Sequence, residues 1–594
     1  AGTGVDTVTL GTGDDTLDLG AGNDTIAATS TTLNATDDLD GGLGTDSLAL
    51  TGGGAFDLSG LAGFVNIEAV MLDDSGSDLT LRDGVDLTVT AGTGADTVTL
   101  GTGDDTLDAG GGDDTVQAAA AAFNVADDLD GGLGTDTLVL TGGGTFNLPG
   151  LARFVNFEAL VMDNSGASLT LRDGISLSVT AGLGADIVTL GNGNDTIEAT
   201  AAALNAADEL TGGAGTDLLH LLAAGTYDLS ALAAFATFEA ILTTGNTDLT
   251  LSAAAGIVVT LDNATNTVIG GTAADTVILG TGTDTLNLGD GVDVVRGTLA
   301  TLNLTDDLDG GLGTDILELT GGGTLSLAGL VDFTGFEEIA LDDNSWNLTL
   351  VGGQGIALTG GAGDDVVLGV AGDQTLNLGG GDDTLDLSLS LDAVTVDLGT
   401  AAAQLISATQ GTDTLQGIEN LRGSIFSDLL TGDANANTLT GLLGDDTLIG
   451  GGGADVLDGG LGIDAMTGGA GADQFVFDGP LDGTPVLLDV GIVLGLDLYD
   501  LLPDFQTGED QLVLSEAGFG LGGALTDGVN FFTIGGAYTG INVGAAPGVP
   551  IIVVDGTNSV YYDPSGGALG LPGYVVLAEG LNTQPVIGDF AFAA

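Results

Sequence analysis

Four aspartates, Asp446, Asp455, Asp464 and Asp473, recur every nine residues in GLLGDDTLI-GGGGADVLD-GGLGIDAMT-GGAGADQFV. An apolar residue follows each of them two places later: Leu448, Leu457, Met466 and Phe475. The preceding glycines let the backbone pass through positive φ and turn carbonyl oxygens inward. Aspartate adds a hard anionic oxygen, and carboxylate plus carbonyl oxygens are the donor set that calcium prefers. The closing residues of each nonapeptide are expected to be extended, with the apolar one buried. Two nonapeptides then make one coil, and stacked coils sandwich a row of ions. A flexible Gly/Asp linker would not hold an apolar residue in register over four units.

The same unit recurs far upstream. It places Asp6, Asp15 and Asp24 in a first block, Asp96, Asp105 and Asp114 in a second, and Asp186 and Asp195 in a third. Asp275, Asp284 and Asp293 form a fourth, and Asp365 and Asp383 a fifth in which Gln374 replaces the expected aspartate and should weaken its site. A second phrase follows each of the first four blocks, as in DDLDGGLGTDSLAL, and contributes Asp37 and Asp46, Asp127 and Asp136, Asp208 and Asp217, and Asp306 and Asp315. Its leading aspartate always lies thirteen residues after the last aspartate of the block (24 to 37, 114 to 127, 195 to 208, 293 to 306). The blocks begin at 6, 96, 186, 275 and 365, a period near ninety. The third copy lacks one nonapeptide but regains eight residues further on, so the long period is preserved as a stacked rod would require.

A third phrase, TGGGAFDLSGLAGFVNIEAV from Thr51 and its later versions, reads as short strands separated by Gly and Asn turns. Larger rungs of the same solenoid are expected here, with Phe64, Phe154, Phe235 and Phe333 stacked inside. Long helices are not expected; only the Ala-rich stretches near Ala118 and Ala201 could supply a helical turn. The chain thus reads as all-β, a parallel β-helix or β-roll solenoid. Tandem long repeats occupy residues 1–390, a β-roll with Asn437 at an aspartate position occupies 391–476, and an antiparallel β cap occupies 477–594. Such a cap covers an otherwise exposed sheet edge.

Composition bounds the partners. The 594 residues include 85 acidic ones against 5 Lys+Arg, for a formal charge of -80, and all five basic residues are Arg. Nucleic acid is excluded as a partner, because phosphate neutralisation needs Lys and Arg. An anionic membrane surface is disfavoured for the same reason. Divalent cations are the natural partners, and without them self-repulsion opposes compaction. Hydrophobic residues make up 43%, too many for a disordered polyanion. There is no Cys, so neither disulfides nor thiolate chemistry operate. No uninterrupted apolar run is long enough for a membrane helix. The N-terminus opens inside a repeat and is no signal peptide, which suggests a fragment or processed product.

These motifs resemble the RTX (repeats-in-toxin) proteins exported by type I secretion, most sharply from Val394 to Ala594. The C-terminal DFQTGEDQLVLS and YYDPSGGALGLPGYVVLAEG are similar to that family's uncleaved secretion region. The long repeats are similar to calcium-dependent surface-layer proteins and large adhesins of the same superfamily. The resemblance implies that the nonapeptide aspartates ligate calcium together with backbone carbonyls. It implies an extracellular or cell-surface location in a Gram-negative bacterium.

Catalytic motifs are missing. No His-Glu-x-x-His, Gly-x-Ser-x-Gly or Gly-x-x-x-x-Gly-Lys-Ser/Thr is present, and the single His, His220, lies in the strand-like LLHLLAAG. Asp-Asp pairs repeat with the calcium period, whereas catalytic residues seldom repeat. The expectation is a non-enzymatic structural protein that folds on calcium after export. It would self-associate in a surface layer, fibre or adhesin, with cell-surface polysaccharide as a further partner. The alternative is the stalk and secretion end of a larger RTX enzyme or adhesin whose working domain lies upstream.

Overall fold

The computed structural model describes residues 2–252, 256–477, 500–507, 510–515, 531–533, 551–554, 559–563, 575–579, 581–586 and 589–593. It is all-β, 2% helical, with about 21 turns of parallel β-solenoid. Two compact units are distinguished: Ala1–Val294 with Gly311–Gly313, and Val295–Gly310 with Thr314–Ala594.

In the first unit the strands are mostly three or four residues long, and each pairs in parallel with the strand one coil away. Thr7 pairs with Thr25 and Thr25 with Ser47, so the nonapeptide pair and the longer coil that follows share one register. The apolar residue of each unit points inward. Ile26, Leu48, Val70, Val89, Leu107 and Leu129 form one continuous inner column, each of them at most 1% exposed. Burying each such side chain stabilises the coil by roughly 1.5–3 kcal/mol, while the outward Thr and Asp stay solvated.

The third phrase does more than enlarge a coil. Strand Gly54–Asp57 begins a new sheet by pairing with Ser77–Thr80, while Gly63–Val65 ends an older one on Asp38–Asp40. In the next repeat Gly144–Asn147 begins on Ala167–Thr170 and Arg153–Val155 ends on Asp128–Asp130. Gly225–Asp228 and Ala234–Ala236 do the same in the third. In the second unit Gly323–Ser326 and Asp332–Thr334 repeat the arrangement. Each long repeat therefore contains one three-stranded coil among two-stranded ones. Ten strands separate Asp6 from Asp96, from Thr7–Thr9 to Thr88–Thr90. The strand after Asp96 consequently lies in the other sheet from the strand after Asp6: Thr97 pairs with Asp78 and Thr115, Thr7 with Thr25. Successive repeats are offset by half a coil.

The expected aromatic stacking forms within a coil rather than between coils. Phe154 stacks on Phe157 (centroids 4.6 Å apart), Phe235 on Phe238 (4.9 Å) and Phe333 on Phe336 (4.8 Å). Between the two rings the chain turns through positive φ at Asn156, Thr237 or Gly335, which brings residues three apart onto one face. Phe64, Phe154 and Phe333 are buried, and Phe235 is half-buried. The Ala-rich stretches are not helical: Thr115–Ala119 is a strand, and Ala201 lies in a tight turn where the Ala203 N–H donates to Thr200 O.

The C-terminal region is a mixed cap rather than a purely antiparallel one. Gln511–Ser515 joins Gln474–Phe477 in parallel, and Phe590–Ala593 adds to it, also in parallel. Among the described residues there, Val560–Asp563 pairs antiparallel with Ile551–Val554 and with Val575–Glu579. The parallel strands extend the sheets already present.

Candidate metal sites

Each nonapeptide aspartate stands directly before a strand, or in the case of Asp284 opens one, and all candidates except Asp6 and Asp15, in the first coil, are buried. One carboxylate oxygen, Oδ1, accepts the backbone N–H of the equivalent residue one coil earlier. In the first unit Asp6 donates to Asp24 (2.7 Å), Asp24 to Asp46 (2.6 Å), Asp96 to Asp114 (2.7 Å) and Asp114 to Asp136 (2.8 Å). Asp15 donates to Asp37, Asp105 to Asp127, Asp186 to Asp208, Asp195 to Asp217 and Asp275 to Asp293 in the same way. In the second unit the donors are Asp365 to Asp383, Asp446 to Asp464 and Asp455 to Asp473. Asp284 Oδ1 accepts from the side-chain amide of Asn266.

The other oxygen has a different fate. In Asp24, Asp46, Asp96, Asp105, Asp114, Asp136, Asp186, Asp195, Asp217, Asp275, Asp365, Asp383, Asp446 and Asp455, Oδ2 is buried without a hydrogen-bond partner. Such a group is costly to bury unless something compensates it. Burial is the largest influence on the twelve from Asp96 onward and raises each of them. It pushes Asp105 up to about 7 and Asp446 to about 8, with nearby Asp127 and Asp464 adding like-charge repulsion. Asp114, Asp275, Asp383 and Asp455 rise to about 6 for the same primary reason. The Gly101 N–H beside Asp105 offsets only part of this.

A cation would resolve the imbalance, and the donor set fits a hard one. Among the described residues no three acidic, His or Cys side chains converge, so the remaining ligands have to be backbone carbonyls. These are at hand: a side-chain carbon on Gly441 would collide with both Asp446 Oδ2 and the Gly459 carbonyl oxygen, and one on Gly450 with Asp455 Oδ2 and the Gly468 carbonyl oxygen. Oxygen-only donors suit calcium, whereas zinc favours His and Cys.

A protein-family model described as the RTX calcium-binding nonapeptide repeat matches residues 1–30, 88–118, 178–197, 200–223, 262–295, 357–388, 413–448, 431–466 and 449–479. The chain carries RTX calcium-binding nonapeptide repeats along its length. No curated protein matches the chain.

The RTX ladder also departs from its own pattern. Asp37, Asp127 and Asp208, with Asp306 in the second unit, are ladder members whose carboxylates are engaged at both oxygens by a local asparagine. Asn124 donates its backbone N–H to Asp127 Oδ2 (2.8 Å) and its side-chain amide to Asp127 Oδ1 (3.0 Å) and to Gly103 O (2.6 Å). Asn34 and Asn205 repeat all three bonds, and Asn303 bonds both oxygens of Asp306. The thirteen-residue step exceeds the nonapeptide by four residues and ends in this four-residue Asn-x-x-Asp turn. Gln374 and Asn437 keep their coils in register in a related way. Each donates its backbone N–H to the next aspartate, and each side-chain amide donates to a carbonyl, of Gln354 and Glu419 respectively.

Sequence reasoning missed further ladder members. Asp413, Asp428 and Asp510 accept from Gln374, Val394 and Asp473 N–H groups. Each is followed two places later by an apolar residue, a signal a looser motif would have caught. Glu68, Glu158, Glu239, Glu337 and Glu419 carry no such signal and are taken up below. His220 lies on the outer side of strand Leu218–Leu221, where its ring nitrogen Nε2 is 3.0 Å from Thr244 Oγ1.

Proposed function

We propose that this chain is a non-enzymatic extracellular structural protein of a Gram-negative bacterium, folding on calcium after export and assembling at the cell surface as a layer, fibre or adhesin. The observation that carries the reading is the row of buried carboxylates whose Oδ1 is spent on the neighbouring coil and whose Oδ2 has no partner. With a formal charge of -80, a calcium-poor compartment favours the unfolded, exportable state, and bound calcium supplies the missing positive charge outside. The aspartates themselves fix the coil spacing through their N–H to Oδ1 bonds. His220 on an outer strand face, bonded to Thr244, supports a structural over a catalytic role. Among the described residues no helix is long and apolar enough to cross a membrane.

Self-association is part of this reading. Leu43, Leu133 and Leu312 occupy the same place in the first, second and fourth copies of one phrase, with Ala214 in the third, and are 75%, 79% and 72% exposed. Light scattering of the purified chain during calcium addition tests it. Scattering should rise with or just after folding and reverse in EDTA; a calcium-folded chain that stays monomeric at all concentrations contradicts assembly.

A further inference from the structure

Five runs of aspartates among the described residues are closed by a glutamate. The Asp46 N–H donates to Glu68 Oε2 (2.7 Å), Asp136 to Glu158 (2.8 Å) and Asp217 to Glu239 (2.7 Å). In the second unit Asp315 donates to Glu337 and Asp383 to Glu419, both at 3.0 Å. The residue one coil beyond is then apolar: Leu87 follows Glu68, since Thr88 pairs with Ala69, and Leu177 and Ile257 follow Glu158 and Glu239. Except for Glu419, these glutamates lie outside the segments matched by the nonapeptide family.

The surroundings of Glu68, Glu158 and Glu239 reproduce a nonapeptide site. In the β-roll, a side-chain carbon on Gly441 would meet the free oxygen of its own Asp446 and the Gly459 carbonyl of the next coil. In the three-stranded coil, one on Gly41 would lie 2.8 Å from Asp46 Oδ2 and collide with the Asn66 carbonyl oxygen. On Gly212 it would lie 2.9 Å from Asp217 Oδ2 and collide with the Thr237 carbonyl oxygen. Gly131 stands in the same relation to the Asn156 carbonyl. Asn66, Asn156 and Thr237 all have positive φ, between 55° and 57°, so they take the backbone conformation a glycine provides elsewhere. Two residues later comes the glutamate. The Oδ2 atoms of Asp46, Asp136 and Asp217 are buried and without partners, on side chains at most 1% exposed.

We infer that each of the three three-stranded coils of the first unit holds an additional calcium site. Its ligands are the last aspartate of the run (Asp46, Asp136 or Asp217), the carbonyl of the left-handed residue (Asn66, Asn156 or Thr237) and the closing glutamate (Glu68, Glu158 or Glu239). Asn-x-Glu or Thr-x-Glu replaces the Gly-x-Gly-x-Asp turn, and the extra methylene of glutamate compensates for the shorter approach. The inference rests on the calcium reading above and extends it to residues outside the nonapeptide. The consequence is that the row of ions continues through the place where one sheet ends and another begins.

The test is Glu68→Gln, Glu158→Gln and Glu239→Gln, singly and together, in the full chain. Glutamine keeps an oxygen that accepts the aspartate N–H, so the fold is retained while the charge is lost. Bound calcium is counted by elemental analysis after equilibrium dialysis, and calcium-dependent thermal stability is followed in parallel. Each substitution should lower the calcium count by one and reduce the calcium-dependent Tm, with β content in EDTA no lower than for the parent chain. Asn156→Gly, which preserves the left-handed turn and the carbonyl, should keep the full count. If the parent chain binds calcium and the triple glutamine variant binds the same number with the same stabilisation, this inference is overturned while the calcium reading stands. If the parent chain itself binds none, the broader reading fails.

Discussion

The side-chain amide of Asn124 donates to Asp127 and, at the same time, to the Gly103 carbonyl of the preceding coil, at 3.0 and 2.6 Å. It joins the two kinds of oxygen, carboxylate and inward carbonyl, that a cation would join elsewhere in the ladder. One coil earlier Asp105 has a buried Oδ2 without partner. Two aspartates with the same motif position thus have opposite needs.

Asp105→Asn and Asp127→Asn should therefore differ. The first removes a calcium ligand and lowers the bound calcium count; the second leaves the count intact and perturbs only the local turn. Asn124→Ala should cost about 1–3 kcal/mol in saturating calcium, the range for stripping partners from buried polar groups. Equilibrium dialysis and denaturant melts read both, and an equal loss of calcium from the two aspartate variants would contradict the distinction.

Asp114→Asn carries a prediction of opposite sign in two conditions. In calcium it removes a ligand and destabilises. In EDTA it removes a buried charge that lies beside Asp96 and Asp113 and leaves an amide that still accepts the Asp96 N–H, so the metal-free state should be stabilised. Melts in calcium and β content by circular dichroism in EDTA decide it; a loss of β structure in EDTA relative to the parent chain would mean that the carboxylate does not await a cation.

The pH dependence of the metal-free chain follows from the raised carboxyls. Folded Asp105 is pushed up to about 7, Asp446 to about 8 and Asp455 to about 6, against 3.8 for the ordinary group. The folded state therefore binds more protons than the unfolded state between those values. Stability contributed by these groups is fully present below about pH 4 and is lost as the pH rises through about 6 to 8. In EDTA, β structure followed by circular dichroism should increase from pH 8 to pH 5. With calcium the trend reverses, because protons compete for the same oxygens. A metal-free chain whose β content falls steadily with acidification would show that these carboxylates are not strained by burial.

The left-handed corner at Asn156 (φ 57°) should tolerate glycine and resist alanine. Asn156→Ala is expected to cost about 1–2 kcal/mol from the left-handed backbone alone, and more where it disturbs the stack of Phe154 on Phe157. Melting of the alanine and glycine variants in calcium separates the two, and equal stability would remove the argument that the corner is conformationally selected.

Much of this was legible in the residues. The nine-residue spacing placed the ladder aspartates and the inner apolar column, because a parallel coil repeats one residue type at one place. The half-coil offset was not legible: a period near ninety does not say whether it contains an even or odd number of half-coils until the third phrase is known to add a strand. The closing glutamates were hidden for a related reason. Glu68 sits next to no glycine motif, and its role depends on Asn66 adopting a glycine-like φ. The asparagine turns were visible only as a constant thirteen-residue step, since hydrogen bonds from Asn34 or Asn124 leave no periodic trace.

The central claim is that the buried aspartate ladder requires calcium to fold. A calcium titration of the purified chain at neutral pH, followed by far-ultraviolet circular dichroism, tests it most directly. The account predicts little β structure in EDTA, a cooperative rise on calcium addition, and no comparable response to magnesium, whose small octahedral shell suits these carbonyl cradles poorly. Native-like β structure in excess EDTA at neutral pH, unchanged by added calcium, would contradict it.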